Sequence, residues 1–277
     1  MNDLNDALHV LLRQRYGEAS APSPCAASAL IEELLNHRSV RAYLPDPVTD
    51  AELAAMIAAA QSASSSSNLQ AWSVVAVRDP VRRAALAEFA GGQAHVREAP
   101  LQLVWLADLA RLRAMASAAE RPADGLDYLE MFLVGAIDAA LAAQNAVAAA
   151  ESLGLGTVFI GAMRNRPQDV AQLLELPPGV AAVFGLCVGR PDPARPSALK
   201  PRPPQSVVLH HERYSTAAQP EGIEAYNRAM ADFYTSQGMK VHGSWAVHCA
   251  KRVAGPESLS GRDRLVEILH SLGFALK

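Results

Sequence analysis

The chain has 277 residues and a mass of 29.4 kDa, enough for one large domain or two small ones around a substantial core. Half of it is apolar and 19% is charged, which excludes disorder over most of its length, and a net charge of −3 excludes a dominant nucleic-acid footprint. Three widely spaced cysteines, Cys25, Cys187 and Cys249, exclude a disulfide framework and a cysteine zinc site and fit a reducing, cytoplasmic setting.

In chain order, residues 1–27 begin with a short amphipathic stretch and pass into the run Gly17–Pro24, which reads as a loosely ordered arm because Pro22 and Pro24 cannot continue a helix. Asp3, Asp6 and Arg13–Arg15 interrupt any apolar leader there. A helix is predicted over Ser28–Asn36, followed by the charged string His37-Arg38-Ser39-Val40-Arg41. Thr49 or Asp50 is placed to cap a helix over Ala51–Ala60, which the serine run Ser64–Ser67 follows. Trp72–Val77 and Leu101–Ala107 are apolar runs of strand length, with a helix over Val81–Phe89 between them, closed by Gly91-Gly92.

Tyr128–Leu153 is the longest helical stretch, with Gly154 or Gly156 as its stop. Leu126–Leu153 is the best candidate for a membrane span, but Glu130, Asp138 and Glu151 argue against one, so no membrane partner is expected. Buried strands are predicted at Thr157–Ile160 and Val180–Val188, separated by a helix over Pro167–Leu174 that Pro177-Pro178 stops. A proline-rich loop through Pro204 leads to helices over Glu221–Thr235 and Asp263–Leu272. Helices and strands mixed without strict alternation indicate an α+β fold, and the alanine-rich middle indicates close helix packing in a core or a dimer interface.

Several common chemistries fail on inspection. Gly154–Ala162 leaves a helix and enters a strand, the reverse of the order that aims helix N–H groups at a pyrophosphate. His210-His211-Glu212 is no metal site by pattern, because neighbouring residues of a strand point opposite ways. What remains is polar and anion-friendly. His37, Arg38, Ser39 and Arg41 can hold a phosphate by charge-assisted hydrogen bonds, and equally form a solvated charged turn. Lys200-Pro201-Arg202 can complete such a site or simply solubilise a loop. Ser64–Asn68 offers hydroxyls to a heterocycle or ribityl chain, or is a linker, and Gly91-Gly92-Gln93 presents an amide on a tight turn. Gly161, after the Phe159-Ile160 strand end, lets a backbone N–H approach a planar ligand or merely makes a turn.

Taken in order, HRSVR, SSSSNLQ, GGQAHV, AQNAVAAAESLGLGTVFIGAMRN, FGLCVGRP and LKPRPP resemble the nitroreductase superfamily, nearest its oxygen-insensitive NADPH nitroreductases and NADPH-flavin oxidoreductases. The resemblance runs from about Ile31 to the region of Arg252. It implies an FMN enzyme with a central mixed or antiparallel sheet flanked by helices, forming an intertwined homodimer with two active sites at the subunit interface. It makes residues 1–27 an N-terminal extension and 28–277 an FMN-binding domain with a C-terminal helical excursion.

By similarity, His37, Arg38, Ser39, Lys200 and Arg202 meet the FMN phosphate, and Arg41 and Gln93 lie at the pyrimidine edge of the flavin. Ser65, Ser66 and Ser67 reach the cofactor from the partner subunit. Phe159, Ile160, Gly161 and Ala162 line the ring, with the Gly161 N–H near N5 and Arg41 near N1 and O2. A cation there stabilises the charge that builds when the ring accepts a hydride, and no protein general base is needed. The implied cycle is ping-pong, from NADPH or NADH to a small nitroaromatic, quinone or flavin acceptor.

The chain departs from the family pattern at identifiable places. Asn68 stands where a phenylalanine is expected over the acceptor pocket, and Gln237 where an arginine is expected for the 2′-phosphate of NADPH. Lys240 can replace that arginine from the same loop, and Arg262, in a stretch around Gly255–Arg264 that is longer than usual, can approach the acceptor. Two other readings stand beside the oxidoreductase: a non-enzymatic FMN carrier or sensor, and a structural helical dimer.

Overall fold

A computed structural model describes every residue except 1, 19, 23 and 24, so part of the Gly17–Pro24 run, Pro24 included, lies outside the described residues. Along the chain come α1 (Asn2–Tyr16), α2 (Ala29–Asn36), α3 (Asp50–Gln61), β1 (Trp72–Val77), α4 (Pro80–Phe89) and α5 (Ala94–Glu98). They are followed by β2 (Leu101–Asp108), α6 (Ala110–Ala118), α7 (Leu129–Ser152), β3 (Gly156–Ile160), α8 (Pro167–Leu173) and β4 (Val180–Gly189). The C-terminal third holds α9 (Gln219–Ser236), α10 (Trp245–Arg252) and α11 (Leu265–Ser271). The α+β class expected from the sequence is what forms.

Local chemistry explains most boundaries. Ser28 accepts the Ile31 N–H at the start of α2, and Thr49 with Glu52 forms a reciprocal capping box on α3. Asp79 caps α4 and Pro80 occupies its first turn, where a missing N–H costs nothing. Gly154 ends α7 with φ of 76°, a left-handed conformation that glycine adopts without strain. The predicted last helix begins later, at Leu265, because Arg262–Arg264 is a separate 3₁₀ turn.

Two compact units form, one from Met1–Arg38 with Ser197–Leu259, the other from Ser39–Pro196 with Ser260–Lys277. The single body expected over 28–277 is therefore divided, with α2 and α9 in one unit and the sheet in the other. The larger unit is built on an antiparallel sheet in the order β1-β2-β4-β3, with Ser39 bridging in parallel to Thr157 of β3. Strand β2 is buried along its whole length. Leu101, Leu103 and Trp105 join a core with α3 and α7, while Val104 and Leu106 join another with α4 and α8, as the two-residue period of a strand requires. Each of those leucines contributes roughly 2 kcal/mol of burial.

Helix α7 is long and apolar enough to cross a membrane by length and composition alone, but Ala139, Ala142, Ala143, Ala146, Val147 and Ala150 are buried in the core beside β2. It is the central core helix of this unit. The approach is close: a Cβ on Gly135 would lie 3.0 Å from the Ala71 carbonyl oxygen and 3.1 Å from the Ala107 Cβ.

In the smaller unit the sequence expectation needs correction. Residues 2–16 form a helix rather than the opening of a loosely ordered extension. Leu8, Leu12 and Arg15 recur at helical spacing, all three are buried, and α1 packs on α2. Helices α5, α6 and α10 were not anticipated; α5 has five residues, and α6 starts directly after β2, where the Asp108 carboxylate accepts the Arg111 N–H at 3.2 Å. Ser244 does cap α10, accepting the Val247 N–H, but no long apolar stripe accompanies it.

Among the cysteines, burial in the core pushes the Cys187 thiol up to about 12, whereas Cys249 is exposed. Brief alkylation of the native protein should modify Cys249 and spare Cys187 until denaturant is added. Peptide mass mapping of the labelled sites checks this, and early modification of Cys187 would contradict the packing around β4.

Candidate functional site

In the larger unit, the serine run does not behave as a linker. Asp138 on α7 is 1% exposed, and its carboxylate accepts from the Ser65 hydroxyl at 2.7 Å, the Ser66 N–H at 3.2 Å and the Ala71 N–H at 3.1 Å. The Ser65 hydroxyl in turn accepts the Gln70 N–H at 2.8 Å. Between these anchors Ser67, Asn68 and Gln70 take left-handed φ of 49°, 55° and 51°, a conformation that surrounding bonds must hold in place. Ser66 and Ser67 are left exposed on this pinned loop, and Asn68 Oδ1 accepts from the Gln70 side-chain amide at 3.0 Å. Asp138 is the organising residue that sequence reasoning missed. A lone carboxylate inside an alanine-rich helix was the available signal.

Arg41 and His95 come together in the same unit, and Gln93 opens the helix that carries His95. Burial first, and then the Arg41 guanidinium acting against the Glu98 carboxylate, hold His95 below the usual histidine range, which places Arg41 within electrostatic reach of α5. Gln93 stands at the N-terminus of α5, and its amide donates to the Ala90 carbonyl at 2.7 Å. Arg41 is exposed, with Tyr43 beside it buried and donating to the Val40 carbonyl at 2.6 Å.

After β3, a Cβ built on Gly161 would lie 3.6 Å from an Arg164 guanidinium nitrogen and 4.0 Å from one of Arg262, with nothing else as near. Arg262 itself donates to the Asn165 side chain at 2.9 Å, and Arg164 to the Val183 carbonyl. The sequence placed Arg262 near an acceptor; in the structure it and Arg164, which the sequence did not single out, flank this turn. Phe159 is partly exposed, in an edge-to-face pair with Phe184 at 5.3 Å. The expectation that Phe159, Ile160, Gly161 and Ala162 all line a ligand holds less well for Ile160, whose side chain is buried in the core and leaves only backbone to face outward.

In the smaller unit, the two cationic strings lie together because a third arginine binds both. Arg15 of α1 is 4% exposed, and its guanidinium donates to the Leu35 carbonyl at 2.8 Å, the Lys200 carbonyl at 2.7 Å and the His37 carbonyl. The Arg202 N–H donates to the Arg15 carbonyl at 2.6 Å, and the Tyr226 hydroxyl to the Pro201 carbonyl at 3.1 Å. His37, Arg38, Lys200 and Arg202 are thereby gathered. Arg38 also bonds Asn36. Beside them an open groove is lined by Arg13, Arg38, Leu199, Phe233 and Gln237, while Lys240 is exposed beyond the end of α9. Among the described residues no group of three or more His, Cys, Asp or Glu side chains converges as a metal site.

Two predictions follow from the pinned loop and from His95. Asp138→Ala leaves one hydroxyl and two N–H groups without their acceptor, and should lower stability by about 3 kcal/mol. Urea unfolding checks this; a loss no larger than that of an exposed alanine substitution would contradict the geometry. For His95, the folded value lies below the unfolded one, so the unfolded chain takes up the proton first as pH falls. Stability should therefore fall from about pH 6.5 downward, until the lowered value is passed. The variant His95→Gln should show less of this loss in melting experiments on either side of that window.

Comparison with known proteins agrees with this geometry. Residues 34–190 match the family model for the nitroreductase family, and residues 200–277 match the model for its C-terminal domain. An oxygen-insensitive NADPH nitroreductase of Salmonella typhimurium is 38% identical over 251 residues, covering 90% of this chain and 100% of that protein. An FMN reductase [NAD(P)H] of Bacillus subtilis is 43% identical over 250 residues, covering 90% and 98%. Among solved structures, the NADPH:FMN oxidoreductase of Vibrio harveyi complexed with NAD+ superposes with a TM-score of 0.78 at 36% identity, covering 90% of this chain and 100% of the other. Fold, ordered motifs and overall similarity agree, and the chain belongs to the nitroreductase family.

Proposed function

We propose that this chain is an FMN-dependent NAD(P)H oxidoreductase that reduces small nitroaromatic, quinone or flavin acceptors. The observation that carries this reading is that Arg15 ties the backbone at His37 to that at Lys200, and the Arg202 N–H to its own carbonyl, so that two cationic strings far apart in sequence are held together, a donor set suited to a phosphate dianion. In the larger unit, the glycine turn at Gly161 is flanked by guanidinium nitrogens of Arg164 and Arg262, donors suited to the polar atoms of a flavin ring. Bound FMN supplies two-electron transfer from a nicotinamide to an acceptor.

The residues of the chain orient and polarise. Arg41, within electrostatic reach of His95, would stabilise negative charge at the pyrimidine edge of a bound flavin, and His95, held below the usual histidine range, would add no competing cation at neutral pH. The Asp138-pinned loop presents Ser66 and Ser67 in a fixed conformation, suited to reach a flavin of a second subunit. A homodimer is supported by α7 itself. Leu129, Leu133, Ile137 and Leu141 recur every fourth residue and are 46–56% exposed, an apolar stripe that a second copy would cover. Three free cysteines suit a cytoplasmic location. The carrier reading is not favoured, since the relatives compared are named as reductases and oxidoreductases.

Anaerobic mixing of the yellow holoprotein with NADPH, and separately with NADH, should bleach the flavin absorbance rapidly with at least one donor. A flavin that stays oxidised with both would turn the assignment toward a carrier. Arg202→Ala should weaken FMN retention about tenfold or more while leaving a folded protein. Gel filtration followed by flavin absorbance measures it, and unchanged flavin content would remove Arg202 from the phosphate site.

A further inference from the structure

Helix α1 lies outside both stretches that match the family, which begin at residue 34 and end at residue 277. Its last turn nevertheless reaches the residues assigned to the FMN phosphate. Arg15 is buried, and its guanidinium donates to three backbone carbonyls, those of Leu35, His37 and Lys200. A guanidinium is the one side chain with enough donors in a fixed fork to bind Leu35, His37 and Lys200 at once. Arg15 and Lys200 are 185 residues apart in sequence. The Arg202 N–H closes the arrangement on the Arg15 carbonyl.

We infer that α1 is a preorganising strut for the cofactor's phosphate end, with Arg15 as its positioning residue. The inference rests on the FMN reading above. Two physical effects follow from the geometry. Carbonyl oxygens engaged by Arg15 are not available to turn toward an incoming dianion and repel it. The segment Lys200–Arg202, which has no regular secondary structure, is held beside His37 before any ligand arrives, so less ordering remains to oppose binding. Arg15 is spent on carbonyls and acts through His37, Lys200 and Arg202 rather than as a phosphate ligand itself.

The full-length protein, loaded with FMN or with riboflavin, distinguishes this from a purely structural role, because riboflavin has the same ring and ribityl chain and no phosphate. Arg15→Ala should weaken FMN binding about tenfold and leave riboflavin binding unchanged. Arg15→Lys should restore little, since one ammonium cannot span three carbonyls. Tyr226→Phe deletes only the hydroxyl that donates to Pro201, so it tests the same clamp if Arg15 variants fail to fold, and should weaken FMN binding more than riboflavin binding. Equal losses for both flavins would show that Arg15 serves only the fold, and no loss for either would show that it serves neither; both overturn the proposal. A wild-type chain that retains no FMN would overturn the cofactor reading, and the strut with it.

Discussion

The close packing of α7 onto β2 is the constraint on which the larger unit depends. At Gly135 there is no room for a side chain against Ala71 and Ala107, and alanines occupy the next turns where the helix enters the core. This approach carries Asp138 to 1% exposure directly against the chain between α3 and β1. A carboxylate so buried is costly unless it is saturated with donors, and Ser65, Ser66 and Ala71 supply them. The loop cannot relax without breaking those bonds, so its left-handed residues persist. Core packing and loop conformation are thus parts of one arrangement, and a defect in the first is felt in the second.

The smaller unit solves a different problem with a similar device. Neighbouring cations repel one another, and a proline-rich loop has no ladder of its own to hold it. Arg15 addresses the second difficulty by donating to backbone carbonyls of both segments. In each unit, then, a buried charged side chain organises backbone that carries polar or cationic side chains. Neither Asp138 nor Arg15 belongs to the motifs that mark the family in sequence.

Much of this was legible beforehand. The strand Trp72–Val77 and the helices around Ala29–Asn36, Asp50–Gln61 and Leu129–Ser152 follow from apolar periodicity, caps and terminal glycines, which are local signals. The candidate site residues stood out as ordered motifs, and the structure brings His37 beside Lys200, Arg41 within electrostatic reach of α5, and Arg262 beside Gly161. Asp138 and Arg15 were not legible because their meaning is tertiary: each is a single charge whose partners are backbone groups far along the chain. Residues 2–16 were misjudged because the glycine and prolines after them drew the reading toward a loose arm. Leu8, Leu12 and Arg15 already shared one face of a helix, which was the better guide.

The same tertiary logic accounts for Asn68, which stands where the resemblance leads one to expect a phenylalanine. At φ of 55° the backbone is left-handed, where asparagine is among the few non-glycine residues accommodated at low cost. Its side-chain oxygen is engaged by Gln70, itself left-handed at φ of 51°, so the amide stabilises the turn that displays it. An aromatic ring at this position would offer a stacking face and no such bond. The turn is therefore ordered from within, by an amide whose role in the loop an aromatic ring would not fill.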